Sequence, residues 1–257
     1  MDELSLLITG GMVATRILGV IAIMPVFGMQ GTTVMPKVLL GMLLAAMITP
    51  NLPLSVAPIP TLPFFIYGIT SEFLVGILLG GVVRMIFDSL ALAGQLIGSQ
   101  TGQAAALQFD PTLNVSLGPL GRLATMLAAG IFVGSDLHLE VFMAVGHSFR
   151  MVPPGTASNA IAASAHWIEL SDLMIQTGFR LAAPVIVLVF LNNLFIASVM
   201  RLAPQMNIFF SLGFILTIFG GEMVYVLSLP HMLTEHQNAV RDVMKHIYPL
   251  LHTAGGG

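Results

Sequence analysis

Long apolar runs alternate with short polar or proline-rich stretches along the chain, and the runs have helical length. The first, Leu4 to Met29, is long enough to span a membrane but carries Arg16 near its middle. Gln30 to Lys37 reads as a turn on Gly31 and Pro36. Val38 to Thr49 is apolar over only about a dozen residues, short of the ~20 a full span requires. Pro50, Pro53, Pro58, Pro60 and Pro63 then predict an extended connector. Phe64 to Phe87 predicts a helix holding Glu72 and Arg84, with Gly76 and Gly80 as a small-residue contact face. Asp88 follows one turn after Arg84, on the same face.

Residues 94 to 121 depart from this pattern. A helix over 88 to 106 would place Gly94, Gly98 and Gly102 on one face, where another helix can approach closely. Gln95, Ser99 and Gln103 form a polar stripe beside it. The helix cannot continue through Asp110 and Pro111, and Asn114, Gly118 and Pro119 favour turns. Irregular backbone at membrane depth survives where protein buries it or water reaches it. The stretch is therefore either a buried joint or the lining of a passage.

Leu120 to Phe149 reads as one long apolar helix with Arg122, Asp136, His138, Glu140 and His147. Arg150 to Ile168 reads as a loop, ending at a lone Trp167 suited to a membrane interface. Glu169 to Met200 predicts a second long helix with Arg180, Pro184 and the Asn192–Asn193 pair, which suits interhelical hydrogen bonds. A polar break follows over 201 to 207. Ile208 to Leu229, with Glu222 inside it, is the last strongly apolar run. From Pro230 the chain turns amphipathic, so His231, Glu235 and His236 are expected on a solvated surface and 251–257 as a flexible tail.

Composition sets the class. The 257 residues are 56% hydrophobic and 8% charged, with a mean hydropathy of +0.93. Soluble domains carry about 25% charged residues, so this is an integral membrane protein. The net charge of −3, without a basic run, gives no sign of a nucleic-acid partner, and none is expected. The absence of Cys excludes disulfides and thiolate chemistry. No cleaved signal is expected, because Met1-Asp2-Glu3 lacks a basic start. Basic residues are scattered among the loops and give no firm orientation.

Each buried charge in such a chain needs a partner. The candidates for polar ties are Arg16, Glu72, Arg84, Asp88, Arg122, Glu140, Arg180 and Glu222. His138, Glu140 and His147 lack the spacing of a metal site, and no cofactor motif is present.

Two segments resemble a known family. Arg201, Ala203, Pro204, Gln205, Asn207 and Phe209 lie in a stretch similar to the Met-Ala-Pro-Gln-Leu-Asn signature of the FliR family, also called SctT. Residues 94 to 102, with Phe109 to Pro111, resemble that family's second motif. Many relatives have Gly-Phe-Pro-Leu where this chain has Ile215 in the proline position, which would leave that helix straighter. The resemblance covers essentially the whole chain. It implies an all-α, integral membrane-type helical protein with long kinked helices and a buried plug loop, over a single membrane domain, 1–257. A FliP-like part (about 1–169, with plug loop 104–119) would precede a FliQ-like helical hairpin (about 170–250). It also implies a structural subunit of the type III export gate, in the bacterial inner membrane and flagellar basal body. FliP-like and FliQ-like subunits would surround it, with FlhB-like and FlhA-like export proteins nearby and unfolded export substrates passing through. Gln108, Phe109, Asp110, Pro111 and Asn114 would stand at the constriction.

Two other functions are conceivable on the residues. A secondary transporter or ion channel would bind a cation at Asp110, but it should show an internal repeat of the break, and Ala203–Pro204 is only a weak second copy. An intramembrane enzyme lacks any Gly-x-Ser-x-Gly or His-Glu-x-x-His motif, so the expectation is no catalytic activity.

Overall fold

The computed structural model describes residues 3–25, 33–52, 62–102, 118–157, 163–202 and 213–255. All regular structure among them is helical. The helices are α1 (Glu3–Ile23), α2 (Val34–Ile48, followed by a 3-10 turn at Thr49–Asn51), α3 (Leu62–Gln100), α4 (Pro119–Gly134), α5 (Leu137–Met151), α6 (His166–Leu202), α7 (Phe214–Lys245) and α8 (Ile247–Ala254). Five helices among the described residues are long and apolar enough to cross a membrane. At 1.5 Å per residue the 39-residue α3 is about 58 Å long, well beyond the ~30 Å hydrocarbon core.

Several expected boundaries move. The run 64–87 and the helix expected over 88–106 are one helix, α3, because the residues around 88 include no breaker. That helix stops at Gln100, and Gly102 takes a left-handed φ of 84°, so it does not share a helical face with Gly94 and Gly98. The helix expected over 120–149 is two helices: Asp136 adopts φ 56°, a conformation that Asp tolerates better than most residues. The Gln30–Lys37 turn is shorter than expected, since α2 begins at Val34 with Pro36 in its first turn, where no backbone donor is lost. With its 3-10 extension, α2 reaches spanning length. The 150–168 loop is shortened at both ends by α5 and α6. Pro230 does not end α7, and α8 orders much of the expected tail. His231 and Glu235 are exposed, but His236 is buried, because it shares a helical face with buried Tyr225 and Met232.

The described chain divides into two compact units. The first comprises Met1–Ile86, Phe132–Asp172 and Val240–Gly257. Its core holds Met12, Ile17, Val20, Ile21, Val75, Leu79, Val145 and Phe149. Trp167 is half-buried in it, its ring occupying the space a side chain at Gly81 would need. The second comprises Phe87–Ile131 and Leu173–Ala239. There Gly94 lets α3 approach α4, since a Cβ on it would lie 2.6 Å from the Leu120 carbonyl oxygen. Gly178 likewise brings α6 close to α3, with a Cβ 3.0 Å from the Ser89 carbonyl. Asn192 Nδ2 donates to Thr217 Oγ1 at 2.8 Å, tying α6 to α7, while Asn193 is exposed.

Candidate functional site

The first unit is built around a charge. Arg16, midway along α1, is wholly buried among apolar residues. Its Nε donates to Glu72 Oε2 on α3 at 2.6 Å, and both side chains are fully excluded from solvent. Nη1 donates to Ser148 Oγ at 3.0 Å and Nη2 to the Val152 carbonyl at 2.9 Å. The guanidinium carbon lies 4.4 Å from the centre of the Phe149 ring, a cation–π contact. The other Glu72 oxygen, Oε1, accepts from the Gly155 backbone N–H at 2.9 Å. Gly155 has φ +83°, a backbone conformation that L side chains rarely adopt. One cation and one carboxylate thus bind α1, α3, the end of α5 and the turn after it.

Glycines let this pair form. A Cβ on Gly76 would collide with the Arg16 carbonyl oxygen, one on Gly19 would lie 2.7 Å from the Phe73 carbonyl, and one on Gly80 2.7 Å from the Val20 carbonyl. The α1 and α3 backbones therefore touch along two turns, as small-residue faces permit. The arrangement is a static lock. It holds two opposite charges in apolar surroundings, with their hydrogen-bonding groups engaged.

The other charges expected to form ties are placed differently. Arg84 is exposed and Asp88 half-buried, one turn apart on α3. Arg122, Glu140 and Arg180 are exposed, and Glu222 is half-buried. Gly98 is buried on α3. Arg201 is exposed in the last turn of α6. Gln108, Phe109, Asp110, Pro111 and Asn114, like Ala203, Pro204, Gln205, Asn207 and Phe209, lie outside the described residues. Among the described residues no three His, Asp or Glu side chains are grouped to hold a metal ion. Sequence reasoning missed Ser148, Phe149, the Val152 carbonyl and Gly155. The Pro153-Pro154-Gly155 turn signal was the one available hint of the last.

The family model described as bacterial export proteins, family 1, matches residues 7–243. The chain belongs to that family. Its similarity to the flagellar biosynthetic protein FliR of Pectobacterium carotovorum subsp. carotovorum is 31% identity over 244 residues, covering 90% of this chain and 91% of the relative. FliR of Escherichia coli strain K12 is 29% identical over 247 residues, covering 92% of each. The Yop proteins translocation protein T of Yersinia pestis is 31% identical over 146 residues, 55% of each. Relatives named as flagellar biosynthetic proteins and as a Yop translocation protein thus both resemble this chain. This member is a component of the type III export apparatus, structural and not enzymatic.

Proposed function

We propose that the chain is a pore-forming, structural subunit of the type III export gate in the bacterial inner membrane. Its system is flagellar, and its place is the basal body. The family match across residues 7–243 carries this reading, and the longer matches to flagellar relatives favour flagellar export. The open apolar faces of α6 and α7 support it. Phe190, Phe195, Phe219 and Met223 are all at least 60% exposed, and only 17% of either helix's spanning window is buried. Such faces need lipid or neighbouring subunits. FliP-like and FliQ-like subunits would cover them, with FlhB-like and FlhA-like proteins at the mouth, and unfolded substrates would pass through the assembly. Residues 104–119 would be the plug, with Phe109 supplying bulk and Asp110 and Asn114 holding its turns through local hydrogen bonds.

One deletion tests the reading. Removing Phe109 to Leu117 is expected to leave the complex recoverable with FliP-like and FliQ-like partners, and to make membranes leaky to small solutes. A disrupted complex without conductance would end the plug reading. A transporter with its cation site at Asp110 predicts a monomer or homo-oligomer on purification, so copurification with different subunits separates the two.

A further inference from the structure

Three of the scattered basic residues, Arg150, Arg241 and Lys245, line neighbouring clefts in the first unit. Two clefts of about 380 Å³ each adjoin at Met143 and His147 on α5. One is walled by Arg241, Lys245 and Tyr248, with Glu140 across from them. The other is walled by Met47, Asn51 and Arg150. Arg150 stands in the last turn of α5 and Lys245 in the last turn of α7, each where a helix ends. Arg150, Arg241 and His147 have no ion pair or side-chain hydrogen bond among the described residues. Three fixed cations and one carboxylate, Glu140, line the clefts, and Lys245 is tied at 2.7 Å to Asp242 outside the lining, which leaves a net positive charge. Beside the cations lies open apolar surface: Met47 and Met143 are 64% and 59% exposed. Tyr248, 56% exposed on the rim, is a residue type enriched at membrane interfaces.

Cations at the ends of apolar helices, an interfacial aromatic and a neighbouring methionine surface match one class of ligand. We propose that these clefts bind the headgroup phosphate of an anionic phospholipid. Arg150, Arg241 and Lys245 face the phosphate, and an acyl chain lies over Met47 and Met143. Basic pockets between membrane helices bind anionic lipid in this way. The site does not depend on the chain forming a pore.

Native mass spectrometry of the tagged full chain, extracted with the subunits that accompany it and exchanged with defined lipid, tests the site. Phosphatidylglycerol is expected to be retained at concentrations at least about tenfold below phosphatidylcholine, a preference of about 1.4 kcal/mol. The triple variant Arg150→Gln, Arg241→Gln, Lys245→Gln should bring the two lipids within about twofold. The charge-conserving Arg150→Lys, Arg241→Lys should keep the preference, which separates lost charge from lost folding. Lys37→Gln, in the first turns of α2 away from Asn51, should also keep it. Equal retention of both lipids by the wild type would overturn the proposal, as would a preference surviving in the triple variant. So would displacement of the lipid by millimolar inorganic phosphate, which would mark a free-anion site. A crosslink from Tyr248→Cys to a protein subunit in place of lipid would also reject it.

Discussion

Gly76 lies against the backbone carbonyl of Arg16, one helical turn beyond the Glu72 that binds the Arg16 side chain. The close approach and the ion pair are one feature: the contact at Gly76 fixes the distance over which the guanidinium reaches its carboxylate. A methyl at position 76 would meet backbone, which cannot rotate away. Gly76→Ala should therefore cost about 1–3 kcal/mol. Gly130→Ala, inside α4 where nothing lies within 4 Å, should gain about 0.5–1 kcal/mol by raising helix propensity. Thermal unfolding midpoints of the detergent-extracted full chain measure both. Equal effects would show that α1 and α3 are not held this closely.

Removing one member of the lock strands the other. Arg16→Met alone should cost about 3–5 kcal/mol, because Glu72 then loses its cation in the core and keeps only the Gly155 N–H. Arg16→Met combined with Glu72→Leu should recover most of that loss, since apolar replacements of buried pairs are often neutral. A double-mutant cycle on unfolding midpoints reads the coupling, and simple additivity would contradict the geometry.

Two left-handed residues should respond in opposite ways. Gly155→Ala is expected to lose roughly 1–2 kcal/mol, since a Cβ disfavours φ +83° at the turn that donates to Glu72. Asp136→Gly, at φ 56°, should be neutral or stabilising, and Asp136→Val should be destabilising. Protease resistance of the four chains in membranes ranks them.

The Asn192–Thr217 bond predicts a smaller effect. Asn192→Leu should cost about 0.6–2 kcal/mol by removing an interhelical hydrogen bond, while Asn193→Leu should change stability little. Unfolding midpoints of the pair distinguish the bonded residue from its exposed neighbour.

The residues that carried the sequence reading show where it works. Apolar runs of helical length gave the class and most helices, because burial and backbone satisfaction in lipid leave little else. Arg16 and Glu72 were conspicuous as charges in apolar runs, yet nothing in their 56-residue separation indicated that they meet. Their meeting depends on Gly19, Gly76 and Gly80 acting on two helices at once, a relation between segments that periodicity within one segment does not carry. Boundaries failed where punctuation was ambiguous. Pro230 and Pro36 sit inside helices, whereas Asp136, an ordinary residue by composition, ends the expected 120–149 helix. The grouping of Arg150 with Arg241 and Lys245 was invisible because it joins positions some ninety residues apart.

The lock also imposes an order on synthesis. Arg16 leaves the ribosome long before its partners: Glu72 follows 56 residues later, Ser148 after 132 and Val152 after 136. An arginine at the middle of an isolated membrane helix costs about 2.5–3.5 kcal/mol on insertion scales. The first helix is therefore a poor tenant of lipid when it is born. It becomes a stable one only as Glu72 and then the end of α5 emerge, so a segment made well before its partners is finished only after them.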